Sequence, residues 1–532
     1  MQNNKKQTFM QGAIILVAGT LIAKLISAAF KIPLQHYIGN TSMGIFNSAY
    51  QYYTIMFVIA TAGVPVALSK LVSEANALGK AQEVKRIARL AAIVFFSFGA
   101  LCSFALFTGA DWIAKVSNNP MAIDAIRAIA PAVFFVSIVA VVRGYFQGMS
   151  NMIPTALSQI IEASGKVVLG LIFAWFAGYK GFDEAMMAAF AILGVTVGEI
   201  LAAFVMLLYL AAASRKRNTV NLNDNCRTYS DLFKVLILTV IPITLTSSVT
   251  SITTLVDTGM LVRRLQEIGY SLPVANALYG VYTGQAFTMF NFPQTLITAL
   301  ATAVLPAMAG AYAQQNHTMA AKNMGSAMRI AMLIALPSFV GYFVLAHPII
   351  SLLFAKDETG MVSQGLGGSL LQILAFAIPC VALVGLTNAI LQAIGKMKVP
   401  VFTMLIGGLC KIALNYFLVG NPEINIYGAP VGTFVCYTII ATLNILYLRK
   451  YIKLPKLDKL VIRPFVACIG MGAVASVIYR FTSSILGYVA VLPAICTAGV
   501  VYVIFLIMLN ALEKDDILML PAGKHIVKLL GL

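Results

Sequence analysis

The chain has 532 residues, 60% of them hydrophobic and only 11% charged, with a mean hydropathy of +0.88. A chain this apolar is excluded from the ordinary water-soluble folds and reads as a polytopic membrane protein, and its short loops leave no room for a soluble catalytic domain. The formal charge of +18 lies beside hydrophobic spans, the pattern of topology signals and anionic-lipid contact rather than of nucleic-acid binding.

Apolar runs of about 20 residues mark spans. They fall at 8–33, 43–70, 86–110, 125–147, 154–178 and 185–213, and resume after a polar segment at 231–258, 274–307, 325–346, 366–393, 400–419, 428–449, 461–481 and 485–510. The fold class expected is therefore an all-α polytopic membrane protein with about fourteen transmembrane helices. The first span follows Lys5 and Lys6, is too long for a signal-peptide core and is expected to stay attached. With the N-terminus inside, 25 basic residues fall on inner segments and 8 on outer ones. That bias obeys the positive-inside rule and places both termini in the cytoplasm of a cell-membrane protein.

An internal repeat is visible. Gly63-Val-Pro65 closes the second span and Val304-Leu-Pro306 the eighth, each followed by a polar stretch. Gln147-Gly148 precedes Pro154 and then Lys166, as Gln392 and Gly395 precede Pro400 and then Lys411. The organisation expected is an N-terminal lobe of six helices (1–213), a cytoplasmic linker (214–230), a second six-helix lobe (231–450), and two additional helices with a tail (451–532). Two lobes in one orientation fit a transporter. Pro33, Pro65, Pro293 and Pro306 suggest bends in the spans that hold them.

Charges inside spans are the candidates for function. Lys24 and Lys31 stand two turns apart on one face of the first span. A lysine near mid-membrane costs roughly 2.5–3.5 kcal/mol on insertion scales, so this face either lines a watery cavity or snorkels and pairs with neighbouring helices. Glu162 and Lys166 stand at i,i+4, as a self-neutralised pair or as cavity groups. Arg143, opening Arg-Gly-Tyr-Phe-Gln-Gly, either snorkels or reaches an incoming phosphate. Gly144 and Gly148 form a GxxxG spacing that permits close helix packing. Lys411 repeats the placement of Lys166. Glu199 and Asp257 are candidate cation or ion-pair sites, with Arg263 and Arg264 the nearest partners for Asp257. Basic groups outnumber acidic ones in the membrane, which favours an anionic substrate. There is no GxxxxGK[ST], no HExxH and no paired-histidine spacing, and the seven cysteines are scattered. The reading is of a non-enzyme without cofactor or metal.

The segments Gly63–Glu74, Arg143–Gly148, Asn151–Pro154 and Ser158–Glu162 closely resemble the stage V sporulation protein B group of the oligosaccharidyl-lipid and polysaccharide flippases, the superfamily that includes lipid II flippases and multidrug and toxin extrusion exporters. The resemblance runs over nearly the whole chain. It implies two six-helix lobes about a central cavity and alternating access carrying a lipid-linked precursor outwards, with basic residues of the first helix at the diphosphate. Lys24 and Lys31 stand where such flippases present arginines, giving a point charge in place of a bidentate fork. The eighth span, Gly280–Asn291, lacks charges that some lipid II flippases carry there. The expected function is transfer of an undecaprenyl-diphosphate-linked cell-wall precursor, lipid II first, for peptidoglycan or spore cortex. Lys24, Lys31, Arg143, Glu162, Lys166 and Lys411 are its expected contacts. The expected partners are the lipid-linked oligosaccharide, the bilayer and cell-wall synthesis proteins. Export of another lipid-linked repeat unit, cation-coupled drug antiport, and a non-transporting scaffold of the cell-wall machinery are the alternatives.

Overall fold

The computed structural model describes residues 9–215, 227–354, 362–363, 365–452, 454–455 and 457–511. Among them the regular structure is helical throughout, as expected where no water is present to satisfy an open backbone. Among the described residues nine helices are long and apolar enough to cross a membrane, or ten if a pair bent by 48° is one span. The chain divides into two compact units, one ending at Gly280 and the other beginning at Val281.

The first unit holds α1 (Phe9–Thr61), α2 (Val64–Ala77), α3 (Ala81–Thr108), α4 (Ala110–Val116), α5 (Ile123–Gly148), α6 (Ile153–Tyr179), α7 (Glu184–Arg215), α8 (Tyr229–Glu267) and α9 (Leu272–Gly280). α1 joins the first two predicted spans across Gly39, whose φ of +74° breaks the helix. A side chain in that left-handed region would cost about 1–2 kcal/mol. The second span then stops at a turn before Pro65, and α2 starts afresh with that proline in its first turn, where its missing N–H is no loss.

Side-chain spacing decides which way each helix faces. On α3, Val84, Ile87, Ala91, Phe95, Gly99, Cys102 and Leu106 are buried at three- and four-residue steps, while Ile93, Leu101, Phe104 and Phe107 point outward. An exposed apolar stripe of this kind suits lipid rather than water. The core gathers Phe30, Leu34, Met43 and Phe46 of α1, Ile126, Ile129 and Val133 of α5, and Ile192 and Val195 of α7. Gly144 and Gly148 do pack closely. A Cβ on Gly144 would come within 3.0 Å of Pro65 Cα, and one on Gly148 within 2.8 Å of Ser69 O, so α5 lies directly on α2. Toward the other end of the unit, Asn119 and Asn276 exchange side-chain amide hydrogen bonds of 2.9 and 3.2 Å while both are buried.

The second unit opens on a π-helical turn, Val281–Ala286. It continues through α10 (Phe287–Ala313), α11 (His317–Leu353), α12 (Leu366–Ala375), α13 (Ala377–Ala393), α14 (Lys398–Val419), α15 (Gly428–Leu448), α16 (Arg463–Leu486) and α17 (Val491–Met508). The helices α12 and α13 are the bent pair. A buried polar knot joins three of these helices. Asn444 of α15 accepts from Thr403 of α14 at 2.8 Å, and donates to Thr387 at 3.0 Å and Asn388 at 2.8 Å, both on α13. The pair α16–α17 leans on α11, where Tyr502 donates to the Leu333 carbonyl at 3.1 Å.

Candidate functional site

In the first unit, four helices bring together charges that lie far apart in the chain. α1 and α6 run side by side in the same direction. A Cβ on Gly19 would meet Ala156 Cβ at 2.6 Å, Thr20 donates to Gln159 Oε1 at 2.8 Å, and a Cβ on Gly170 would meet the Phe30 ring at 2.8 Å. α7 returns antiparallel against α6 on glycine. A Cβ on Gly194 would sit 2.2 Å from Gly170 N, and one on Gly165 2.9 Å from Gly198 Cα. Small residues at both sides of a crossing let the backbones touch, and this contact sets Glu162 and Lys166 of α6 against Glu199 of α7.

Arg143 of α5 reaches into this cluster. Its Nη2 bonds Glu162 Oε2 at 2.9 Å and its Nε donates to Ser158 Oγ at 2.8 Å, with the side chain only 15% exposed. Thus Arg143 does not snorkel away, and Glu162 takes Arg143 as its partner rather than Lys166. An i,i+4 pair is worth only about 0.5 kcal/mol, whereas a desolvated, charge-assisted guanidinium bond is roughly twice as strong as a neutral one.

Lys166 turns instead to aromatic groups. Its Nζ donates to Tyr50 OH at 3.3 Å and lies 4.3 Å from the Tyr50 ring centroid and 5.8 Å from that of Phe30. Lys31, half-buried on α1, stands within electrostatic reach of Lys166. The ring series Phe30, Phe46, Tyr50, Tyr53 and Phe57, with successive centroids 5.5–6.4 Å apart, forms the wall behind the Lys166 ammonium group. One cation against two ring faces and a hydroxyl, with a second cation in electrostatic reach, makes a surface suited to a multiply charged anion.

Glu199 closes the other side. It is 2% exposed, and Tyr53 OH donates to its Oε1 at 3.4 Å. Its Oε2 is buried with no hydrogen-bond partner, and the Glu162 carboxyl is an electrostatic neighbour across the α6–α7 contact. Lys24 is exposed on α1, one turn beyond Thr20. Lys411 is half-buried on α14 of the second unit. The side chain of Asp257 lies outside the described ones, and the arginines expected beside it, Arg263 and Arg264, both bond Glu267. Among the described residues no three His, Cys, Asp or Glu side chains gather as a metal set. Tyr50, Tyr53 and the Gly194-x-x-x-Gly198 spacing were not singled out from the sequence. The last is the signal that marks the α6–α7 contact.

The profile of the family described as "Polysaccharide biosynthesis protein" matches residues 9–312, and that of MatE matches residues 242–417. Stage V sporulation protein B of Bacillus subtilis is 24% identical, over 98% of this chain and 100% of its own. Lipid II flippase MurJ of Bacillus subtilis is 23% identical, over 90% of this chain and 89% of its own. Among solved structures, lipid II flippase MurJ in an inward closed conformation superposes with a TM-score of 0.68 at 15% identity, covering 92% of this chain and 98% of that one. An inward-facing multidrug resistance MATE family transporter of the MOP superfamily gives 0.65 at 16%, covering 82% and 97%. These likenesses establish the fold of a polytopic transporter. A family match over more than half of the chain, running through every helix that builds the cluster, makes this multi-pass membrane protein a member of the polysaccharide biosynthesis protein family.

Proposed function

We propose that the protein is a flippase for a polyprenyl-diphosphate-linked glycan, with lipid II as the first candidate cargo. The observation that carries this reading is Lys166 seated on an aromatic wall, with Lys31 of α1 within electrostatic reach of it, inside a membrane-embedded unit. A lipid-linked diphosphate offers the matching charge, and Lys24 extends the basic face two turns toward the start of α1. The names of the two Bacillus subtilis relatives, one a lipid II flippase and one a sporulation protein, support the substrate class and a role in cell-wall or spore-cortex synthesis. Alternating access, with both termini in the cytoplasm, is the transport cycle proposed. Outward movement has a physical source, because each charge crossing about 100 mV is worth about 2.3 kcal/mol and the cytoplasm is negative.

The test is lipid II translocation by the purified full chain in proteoliposomes, together with complementation of a flippase-depleted strain. Lys24→Ala, Lys31→Ala and Lys166→Ala are expected to insert and fold but to lose transport, and Lys31→Arg to retain it. Full activity in the Lys31→Ala/Lys166→Ala double variant would refute the diphosphate role. Movement of organic cations in place of lipid II would favour the drug-antiport alternative.

A further inference from the structure

At one end of the second unit, two segments far apart in the chain carry cations that no carboxylate answers. The turn from α13 into α14 holds Lys396 and Lys398, and the end of α15 runs into Arg449 and Lys450. Lys398, Arg449 and Lys450 are exposed and Lys396 is half-buried. Lys396 Nζ lies 5.1 Å from the Tyr451 ring centroid, and Lys450 Nζ 5.6 Å from that of Tyr447. The two rings stand 5.5 Å apart, and Tyr451 OH donates to Tyr447 OH at 3.4 Å, which leaves the Tyr447 hydrogen for an outside acceptor. Among the described residues no carboxylate pairs with these cations, whereas Lys80 and Arg227 share Glu83 and Arg463 holds Asp458. The platform beneath is fixed. Gly395 turns the chain at a φ of +77°, Lys396 N donates to the Leu391 carbonyl at 2.8 Å, and Asn444 ties α13, α14 and α15 together.

Beside the charges runs a surface that suits acyl chains. Lys398, Phe402, Leu405 and Leu409 follow one another at four-, three- and four-residue steps, so they share one face of α14. Phe402 is 64% exposed, Leu405 43% and Leu409 59%. Read along α14, the order is charge and then hydrocarbon, with phenols at the helix ends where tyrosine sits in a bilayer. That is the order of a phospholipid. We propose that this face binds an anionic glycerophospholipid, its phosphate held between Lys396 and Lys450 over the tyrosine pair and its chains lying along Phe402, Leu405 and Leu409. Lys398 and Arg449 supply the surrounding positive field. A zwitterionic headgroup brings its own cation into that field and gains less from it. The site belongs to α13, α14 and α15 alone, and it stands whether or not lipid II is the cargo.

The probe is phosphatidylglycerol, offered to the purified full chain in detergent with phosphatidylcholine as the reference and bound lipid read by native mass spectrometry. The wild type should hold phosphatidylglycerol in preference. Each cation removed from beside an anionic headgroup weakens binding about fivefold, so Lys396→Gln/Lys450→Gln should lose about 20- to 30-fold. Lys396→Arg keeps the charge and should stay within about threefold of wild type. The control Lys70→Gln/Lys85→Gln removes two exposed lysines of the first unit and should change binding less than about twofold. Thermal unfolding midpoints equal to wild type show that each variant folds. Equal losses in the two double variants would overturn the proposal by reducing it to diffuse surface charge. Phosphatidylcholine held as tightly as phosphatidylglycerol would overturn it by leaving only tail contact. Displacement of the bound lipid by inorganic phosphate at matched concentration would overturn it in favour of the free anion, and displacement by equimolar lipid II would overturn it by giving the face to the cargo.

Discussion

Gly194→Ala tests how the charged cluster is held in place. A Cβ at 194 would lie 2.2 Å from Gly170 N, 2.3 Å from Gly170 Cα and 2.8 Å from Leu169 C, all of them backbone atoms that no rotamer change can move. Ordinary contact begins at 3.4 Å, so α6 and α7 must part by about 1 Å, which forfeits roughly a quarter to a half of the dispersion attraction across the contact. Overpacking typically costs about 1–3 kcal/mol, and a clash this deep with backbone belongs at the upper end, so against about 1 kcal/mol gained from the helix propensity of alanine the net loss approaches about 2 kcal/mol. Gly178, on the same helix α6, is the internal control, because its nearest neighbour is the flexible tip of Met187 at 3.9 Å. Gly178→Ala should stabilise by up to about 1 kcal/mol. Thermal unfolding of the purified full chain in detergent should move the two midpoints in opposite directions, and Gly194→Ala should slow transport because it also separates Glu162 from Glu199. Midpoints that move together, or a Gly194→Ala midpoint equal to wild type, would refute the close-crossing argument.

Breaking the ion pair tests the electrostatics of the same cluster. Arg143→Leu should cost about 1–3 kcal/mol, less than the 3–5 kcal/mol typical of a fully buried pair because Glu162 is a third exposed. Adding Glu162→Gln should recover most of that loss, and a double variant no better than the single would show that the guanidinium acts by packing alone. In the second unit, Asn444→Leu removes three buried side-chain hydrogen bonds, which at about 0.6 kcal/mol each inside a membrane comes to about 2 kcal/mol. Thr442→Val, which loses only a bond to its own helix carbonyl at Thr438, should leave the unfolding midpoint nearly unchanged.

Much of the architecture was legible in the residues because bilayer thickness turns hydrophobic length into a helix. The chain supplies such helices throughout its described part, and the two spans joined in α1 part at Gly39, between the predicted limits of 33 and 43. The candidate site was legible only as a list of charges inside spans. Glu162 reads locally as a partner for Lys166, yet it bonds Arg143, 19 positions earlier in the chain. Arg143 reads as an interfacial arginine, yet it turns inward to Ser158 and Glu162. Neither choice follows from spacing, since each depends on which helix lies alongside.

From composition and order alone the protein is a helical membrane transporter with positive charge sunk in its first, fourth and fifth spans, because burying such groups in an apolar helix is too costly without a partner or a purpose. Tertiary structure decided the partners. Glycines at 165, 170, 194 and 198 bring α6 and α7 into backbone contact, and that contact gives Glu199 a second carboxyl for a neighbour while Lys166 keeps its place on the aromatic wall. A pairing rule within one helix cannot foresee this, because the energy that selects the partner comes from the crossing of two.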